Sequence, residues 1–307
     1  MIYTDYWGFE FAPFAGDSRP ETFVPTHSAG LAIARLRYSL GMEMGPSALF
    51  GEPGLGKTRV AKMLVGEFAA AGWFTAYIPG PRGTARDILA RLEPGGAAGL
   101  APTAGIVELE AYIADRMEKG QPSLLAVDDV QAARSVEFLE ILRSLLNIEH
   151  DDRPALSLLL IGQADMEKRL AAASGLDSRL SVRAVLEPMS ADETKVYILA
   201  RLKAAGSSHG IFTRQAADRV TELAYGSPRQ VNRLCEMCLV IGYGLNEKRI
   251  TPEIVGMAAA DLDMLPGEEA AFHPWPHPDP ELTGKPEGDV AAGEEDILAA
   301  LPVEEDR

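Results

Sequence analysis

The sequence predicts an α/β fold: a parallel sheet covered by helices on both faces, then a purely helical subdomain. Three observations carry this. Short apolar runs alternate with amphipathic stretches up to residue 189, the pattern of strands buried on both sides. Beyond residue 189 only the helical period persists. Between them, Gly51-Glu52-Pro53-Gly54-Leu55-Gly56-Lys57-Thr58 follows the apolar run Ala48-Leu49-Phe50 and opens a helical stretch from Arg59 to Ala71. That is a full G-x-x-x-x-G-K-[ST] phosphate loop in its strand–loop–helix setting.

The elements follow in order. Residues 1–45 read as an irregular segment anchored by Phe9, Phe11, Pro13 and Phe14, then a helix capped by Ser28 and running to Leu40. Strands are expected at about 47–50, 74–78, 123–127, 156–162 and 181–186. Helices are expected at 84–92, 108–119 and 135–148, with a Gly/Ala/Pro loop over 94–105. Four helices close the pattern, at 191–205, 213–224, 228–243 and 251–260. Ser190 with Glu193 three residues on reads as a capping box. Thr213 and Thr251 read as further caps, the latter with Pro252 at the first helical position.

Composition narrows the class. The chain has 307 residues, 47% of them apolar, and no apolar run near the roughly 20 residues that span a bilayer. Met1–Asp5 lack a basic flank and a long apolar core, which argues against a signal peptide. Cys235 and Cys238 are the only cysteines, as expected of a reducing cytoplasm. They form a C-x-x-C within a helix, and with neither a second pair nor a nearby His they read as core packing rather than as zinc ligands. The net charge of −16 is uneven: residues 261–307 hold 14 Asp/Glu against Lys285 and Arg307, which leaves 1–260 near neutral. No broad cationic face for duplex nucleic acid is expected. The acidic, Pro-rich stretch reads as a disordered tail; within it Glu294 to Val303 form a short apolar strip between acidic flanks, either a segment that folds on a protein partner or an inert, solubilising tail end.

The chemistry-bearing residues group around the loop. Its backbone N–H groups can cradle phosphate oxygens, helped by the start of the following helix. Lys57 can reach the β- and γ-phosphates, and the Thr58 hydroxyl can ligate Mg²⁺. Leu124-Leu125-Ala126-Val127 delivers Asp128 at a strand end, to hold Mg²⁺ directly or through water. Asp129 next to it can orient or activate the attacking water. Gln163 follows the fourth expected strand, on the sheet edge that carries ligands, where a neutral amide suits the γ-phosphate and the lytic water. Arg179 and Arg183 are candidates to reach a neighbouring subunit's γ-phosphate, against the reading as surface arginines. Arg229, just after Pro228 near a helix start, is a γ-phosphate sensor candidate.

These residues carry a resemblance. With Tyr6-Trp7-Gly8-Phe9, Pro13-Phe14, Phe23, His27, Val127-Asp128-Asp129-Val130-Gln131, Ile161-Gly162-Gln163, Arg179 with Arg183, and Gly226-Ser227-Pro228-Arg229, residues 3–260 resemble the AAA+-type P-loop ATPases of the general secretion pathway A kind. That family is also found beside exopolysaccharide and exosortase gene sets, and its relatives include ATP-dependent regulators of transposition. The resemblance implies a five-stranded parallel sheet with a helical lid, and ATP bound between them; Arg59, next after the phosphate loop, is a further nucleotide-binding candidate. It also implies adenine near Phe23 and His27, and a homo-oligomeric ring or filament in which Arg179 is the finger acting in trans. Two departures stand out. The second acidic residue is Glu in most relatives and Asp129 here, which is expected to slow hydrolysis or to require a bridging water. The acidic tail stands where longer relatives carry a membrane segment and a cell-wall-binding part, which argues against an envelope-anchored role.

The expected organisation is an N-terminal segment and helix packing on the core (1–45), a P-loop αβ ATPase domain (46–189), a helical lid (190–262) and a disordered acidic tail (263–307). The expected function is a cytoplasmic, Mg²⁺-dependent ATP-hydrolysing assembly switch serving a secretion or exopolysaccharide system. Its protein partner is unknown and can engage the tail. The alternatives are an ATP-dependent DNA-binding regulator and a weakly hydrolysing nucleotide-gated scaffold.

Overall fold

The computed structural model describes residues 2–16, 19, 22–80, 85–92, 105–132, 136–150, 153–163 and 177–265. Its helices are α1 (Ile2–Trp7), α2 (His27–Gly41), α3 (Lys57–Ala70), α4 (Ala85–Leu92), α5 (Ile106–Glu118), α6 (Val136–Leu145), α7 (Ala191–Ala204), α8 (Arg214–Ala224), α9 (Pro228–Gly244) and α10 (Pro252–Asp261). Its strands are β1 (Ser47–Gly51), β2 (Phe74–Ile78), β3 (Ser123–Val127), β4 (Glu149–His150), β5 (Arg153–Pro154), β6 (Leu156–Gly162) and β7 (Val182–Leu186). The chain divides into two compact units, one spanning His27–Glu187 and the other joining Met1–Thr26 to Pro188 onward.

The first unit holds the five-stranded parallel sheet that the alternating pattern predicts, in the order β2-β3-β6-β1-β7. The three inner strands are buried at every residue. The edge strands β2 and β7 bury only part of theirs, as expected where one side has no neighbour to exclude water. Alternate side chains serve the two faces. Phe50, Leu125, Val127, Leu158 and Leu160 pack with Ile88, Leu109, Ile113 and Leu142 of α4, α5 and α6. The other face lies under α2 and α3, whose Leu36, Leu40, Val60 and Leu64 are buried. A short antiparallel hairpin, β4–β5, was not foreseen: two residues per strand are too few to show a period. The expected loop over 94–105 lies almost wholly outside the described residues.

Ser28 is not the cap of α2. The helix begins at His27, and the Ser28 hydroxyl instead exchanges hydrogen bonds with the backbone of Glu187, to its oxygen at 3.3 Å and from its nitrogen at 3.2 Å. A serine near a helix start satisfies whichever backbone group lies closest, and here that group comes from the far end of the unit.

In the second unit α7 starts with the expected capping box, Ser190 and Glu193 each accepting the other's backbone N–H. The Thr213 hydroxyl caps α8 through Ala216 N. Thr251 precedes α10, but its side chain makes no cap bond. Cys235 and Cys238 are wholly buried in this unit's core, and burial pushes both thiols above their usual range. Among the described residues no group of three or more His, Cys, Asp or Glu gathers to hold a metal. No helix among them is long and apolar enough to cross a membrane.

The expected 1–45 segment divides. Residues up to Thr26 join the helical unit, and only the helix from His27 packs on the sheet. Arg201, buried on α7, gives the reason. Its guanidinium donates to the carbonyls of Pro13 (2.7 Å), Thr22 (2.9 Å) and Ala15 (3.1 Å). A buried guanidinium is tolerable only with its fork of donors satisfied, and the N-terminal segment supplies the acceptors. The segment also opens with a helix, α1, whose Trp7 indole donates to Leu239 O at 3.0 Å. Its Tyr3 hydroxyl donates to Glu236. Burial first, and that carboxylate second, raise the Tyr3 phenol above its ordinary pKa. The expected tail lies outside the described residues from 266 on.

Gly226, ahead of α9, has φ +68° and passes so close to Met189 that an added Cβ would lie 2.2 Å from the Met189 carbonyl oxygen. Gly226→Ala is therefore expected to cost about 2 kcal/mol or more. Urea denaturation of variant against wild type measures it.

Candidate functional site

The strand order brings the candidate residues together. β1, β6 and β3 are neighbours although sequence separates them widely, and all run the same way. Their C-terminal ends therefore deliver the phosphate loop, Gln163 and the Asp128–Asp129 pair to one edge of the sheet, where open parallel sheets bind ligands.

The loop leaves β1 at Gly51 and ends at Gly56, which caps α3 in the left-handed conformation at φ 93°. That conformation suits glycine and allows backbone N–H groups to converge on an anion. Lys57 is the first residue of α3 and is 8% exposed. Its ammonium donates to Gly51 O (2.7 Å) and Glu52 O (2.9 Å), so the cation is held by the loop's own backbone. Glu52 and Pro53 are exposed, Leu55 is buried, and Gly54 and Arg59 are half-buried.

Across from the loop stands Asp128, 3% exposed. Its Oδ2 accepts the Thr58 hydroxyl and the Tyr77 hydroxyl, each at 2.6 Å. Its Oδ1 accepts the backbone N–H of Asp129 at 2.8 Å. Three donors make this buried carboxylate affordable. Because Thr58 donates its proton to Asp128, its oxygen lone pairs remain available to a cation. A hydroxyl oxygen beside a carboxylate is the hard-oxygen donor set that Mg²⁺ takes, so these residues fit that ion. Burial first, and the bond to Asp128 second, raise the Tyr77 phenol above its usual pKa.

Asp129 adopts φ 51°, a left-handed backbone that few non-glycine residues take and that Asp tolerates. The turn sends the chain into a 3₁₀ segment, Val130–Ala132. Gln131 then reaches back. Its Nε2 donates to Asp129 Oδ1 at 2.9 Å, and its Oε1 accepts the backbone N–H of Gln163 at 3.2 Å. One amide thus ties the second acidic residue to the end of β6.

Arg179, exposed, ends a 3₁₀ segment (Asp177–Arg179), and its Nη1 donates to Asn147 Oδ1 at 2.7 Å. Arg183 is exposed on edge strand β7. Arg229 is exposed in the first turn of α9 and belongs to the helical unit. Tyr77, Gln131 and Asn147 were given no role by the sequence reading. Gln131 lies inside a quoted motif, but nothing in the spacing separates it from an ordinary surface glutamine. Tyr77 became visible only through the β2–β3 register, which seats it opposite Ala126, two residues short of Asp128.

The AAA domain family model matches residues 42–170. General secretion pathway protein A of Aeromonas hydrophila is 30% identical over 273 residues, covering 87% of this chain and 50% of that protein. The chain thus spans about half the length of this relative. Among solved structures, Cdc6p of Pyrobaculum aerophilum matches with a TM-score of 0.64 at 20% identity, over 83% of this chain and 71% of that one. The Aeropyrum pernix ORC2 protein, in ADPNP–ADP complexes, gives 0.63 at 16% identity over 82% and 72%. The ORC1 protein of the same organism, in complex with DNA, gives 0.61 at 19% identity over 81% and 68%. At these identities the structural likeness concerns the fold.

Gln131→Leu removes the bridge between Asp129 and Gln163. The Gln163 amide is expected to exchange its hydrogen faster by mass spectrometry. The melting temperature should stay nearly unchanged, because the bridge is only partly buried.

Proposed function

Since the chain carries an AAA+-type P-loop domain and is similar over most of its length to General secretion pathway protein A, we propose that it is a Mg²⁺-dependent, ATP-binding and ATP-hydrolysing assembly switch. The observation that carries this is the 2.6 Å bond from Thr58 to Asp128, 70 residues apart, beside a lysine drawn into the loop. In this reading the loop amides and Lys57 bind the β- and γ-phosphates, and Thr58 and Asp128 hold the metal side. Mg²⁺ held there would neutralise phosphate charge. Asp129 and Gln163 orient water for attack on the γ-phosphate, and Gln131 keeps the two in register. Asp129 is one methylene shorter than the Glu that the resemblance leads one to expect, so hydrolysis is slowed or runs through a bridging water.

The assembly is a homo-oligomer, ring or filament, in the cytoplasm. Arg179, or Arg183, stabilises the transferring phosphoryl group of a neighbouring copy, and exposure of both side chains supports a role outside their own pocket. Arg229 reads the γ-phosphate from the helical unit, and loss of that phosphate resets the protein partner. The likeness to General secretion pathway protein A supports service to a secretion system, or to an exopolysaccharide system of similar kind. A second reading, ATP-dependent DNA binding, is favoured by the likeness to an ORC1 protein solved on DNA. A salt-dependent gel shift that requires ATP would support it.

Lys57→Ala is expected to abolish ATP binding in calorimetry; retained binding overturns the site. Arg179→Ala is expected to lower hydrolysis about a hundredfold or more with affinity nearly intact. Lost affinity instead would put Arg179 in its own subunit's pocket.

A further inference from the structure

We propose that the outer face of α2 is a docking site for this chain's own acid-flanked strip, Glu294 to Val303, which folds there as two helical turns. The face takes no part in the nucleotide reading above.

α2 buries Ala29, Ala32, Ile33, Leu36, Ser39 and Leu40 within its unit. Its opposite side is apolar as well. Leu31 is 48% exposed, Tyr38 63% and Met42 62%, at the i, i+7, i+11 spacing of one helical stripe. Met42 stays on the helix surface because its N–H still bonds Tyr38 O at 3.0 Å. Met44, 51% exposed, extends the stripe past the helix end. A helix that is apolar all round is normally buried all round, and this one is covered on one side.

Charge points to the occupant. α2 contains no acidic residue. Arg35, on the stripe between Leu31 and Tyr38, is exposed and makes no ion pair among the described residues. The nearby Arg37 is already paired with Glu67 at 2.7 Å. The strip complements both features. Ile297, Leu298 and Leu301 fall on one helical face, Glu294, Glu295 and Asp296 precede them, and Pro302 ends the helical stretch. Acids in a first turn suit the helix dipole. Two turns do not hold as a helix in water alone, so the strip needs an apolar surface to fold on.

Tether length and area favour this occupant over a second copy. After Leu265 come 28 residues, 266–293, before the strip begins. Such a linker spans about 30 Å on average and up to about 90 Å, against a radius of gyration of about 15 Å for a unit the size of His27–Glu187. It presents the strip at roughly millimolar effective concentration, so a small face suffices. Leu31, Tyr38, Met42 and Met44 offer on the order of 400 Å² of apolar surface, half of the roughly 800 Å² per partner that a stable dimer buries.

Cross-linking of the full-length chain tests this. Cys235 and Cys238 are wholly buried, so introduced thiols are the reactive ones. Ala300→Cys is combined either with Ala34→Cys, on the stripe, or with Val107→Cys, exposed on α5 across the sheet, and each protein is treated with a short bis-maleimide. The product of single-chain mass should form about tenfold faster for the Ala34 pair than for the Val107 pair. Adding Ile297→Asp and Leu301→Asp should bring the Ala34 pair down to the Val107 rate. Arg35→Glu should slow the Ala34 pair several-fold at low salt and less at high salt. Equal rates for the two pairs overturn the proposal and leave the strip an inert tail end. So does an Ala34 rate that Ile297→Asp with Leu301→Asp leaves unchanged. Chains bearing only Ala34→Cys, mixed with chains bearing only Ala300→Cys, should not link. A product of doubled mass that rises with concentration in that mixture overturns the proposal in favour of docking on a second copy.

Discussion

A single hydrogen bond, from the Thr58 hydroxyl to Asp128, joins the first turn of α3 to the end of β3. In the observed order β6 lies between β1 and β3, so the bond reaches across an intervening strand. It also sets the orientation of the hydroxyl, since a proton committed to the carboxylate leaves the oxygen lone pairs facing outward. The phosphate loop is bound to its counter-carboxylate before any ligand contact is considered. Such preorganisation lowers the reorganisation needed when charge arrives.

The surrounding packing makes that bond rigid. The inner strands are buried along their whole length, and helices α2 to α6 cover both faces. Displacing Asp128 would therefore disturb a close-packed interior. The polar groups at the strand ends are organised in turn by one another: Tyr77 and Asp129 N–H on Asp128, Gln131 on Asp129 and Gln163. The left-handed backbone of Asp129 is the kind of unfavourable local geometry that persists where its surroundings over-determine it. The helical unit follows a different principle. Its core is apolar helix packing, and its N-terminal segment is drawn in by a buried guanidinium that needs carbonyl partners.

Much of the site was legible because it is local. The eight residues of the loop must be contiguous to wrap a phosphate, so they appear as a motif. Asp128 and Asp129 follow four apolar residues because a buried strand must precede them. Ser190 with Glu193, and Thr213, are readable as caps because a cap acts within one turn. Gln131 and Tyr77 were not legible. Their acceptors lie across the sheet or around a turn, and no short-range period encodes them. Ser28 misled for the same reason: a serine at a helix start looks like a cap until a distant strand end claims its hydroxyl.

The amino-acid sequence alone determined the class of fold, the five-stranded sheet, the phosphate loop, the acidic pair and the helical character beyond residue 189, because each depends on contacts within a few residues or on a regular period. Only the tertiary structure decided that β6 lies between β1 and β3, that one oxygen of Asp128 accepts the hydroxyls of both Thr58 and Tyr77, and that the first 26 residues belong with the helices. Those outcomes rest on long-range pairing of strands and on where buried charges find acceptors, and neither leaves a periodic trace along the chain.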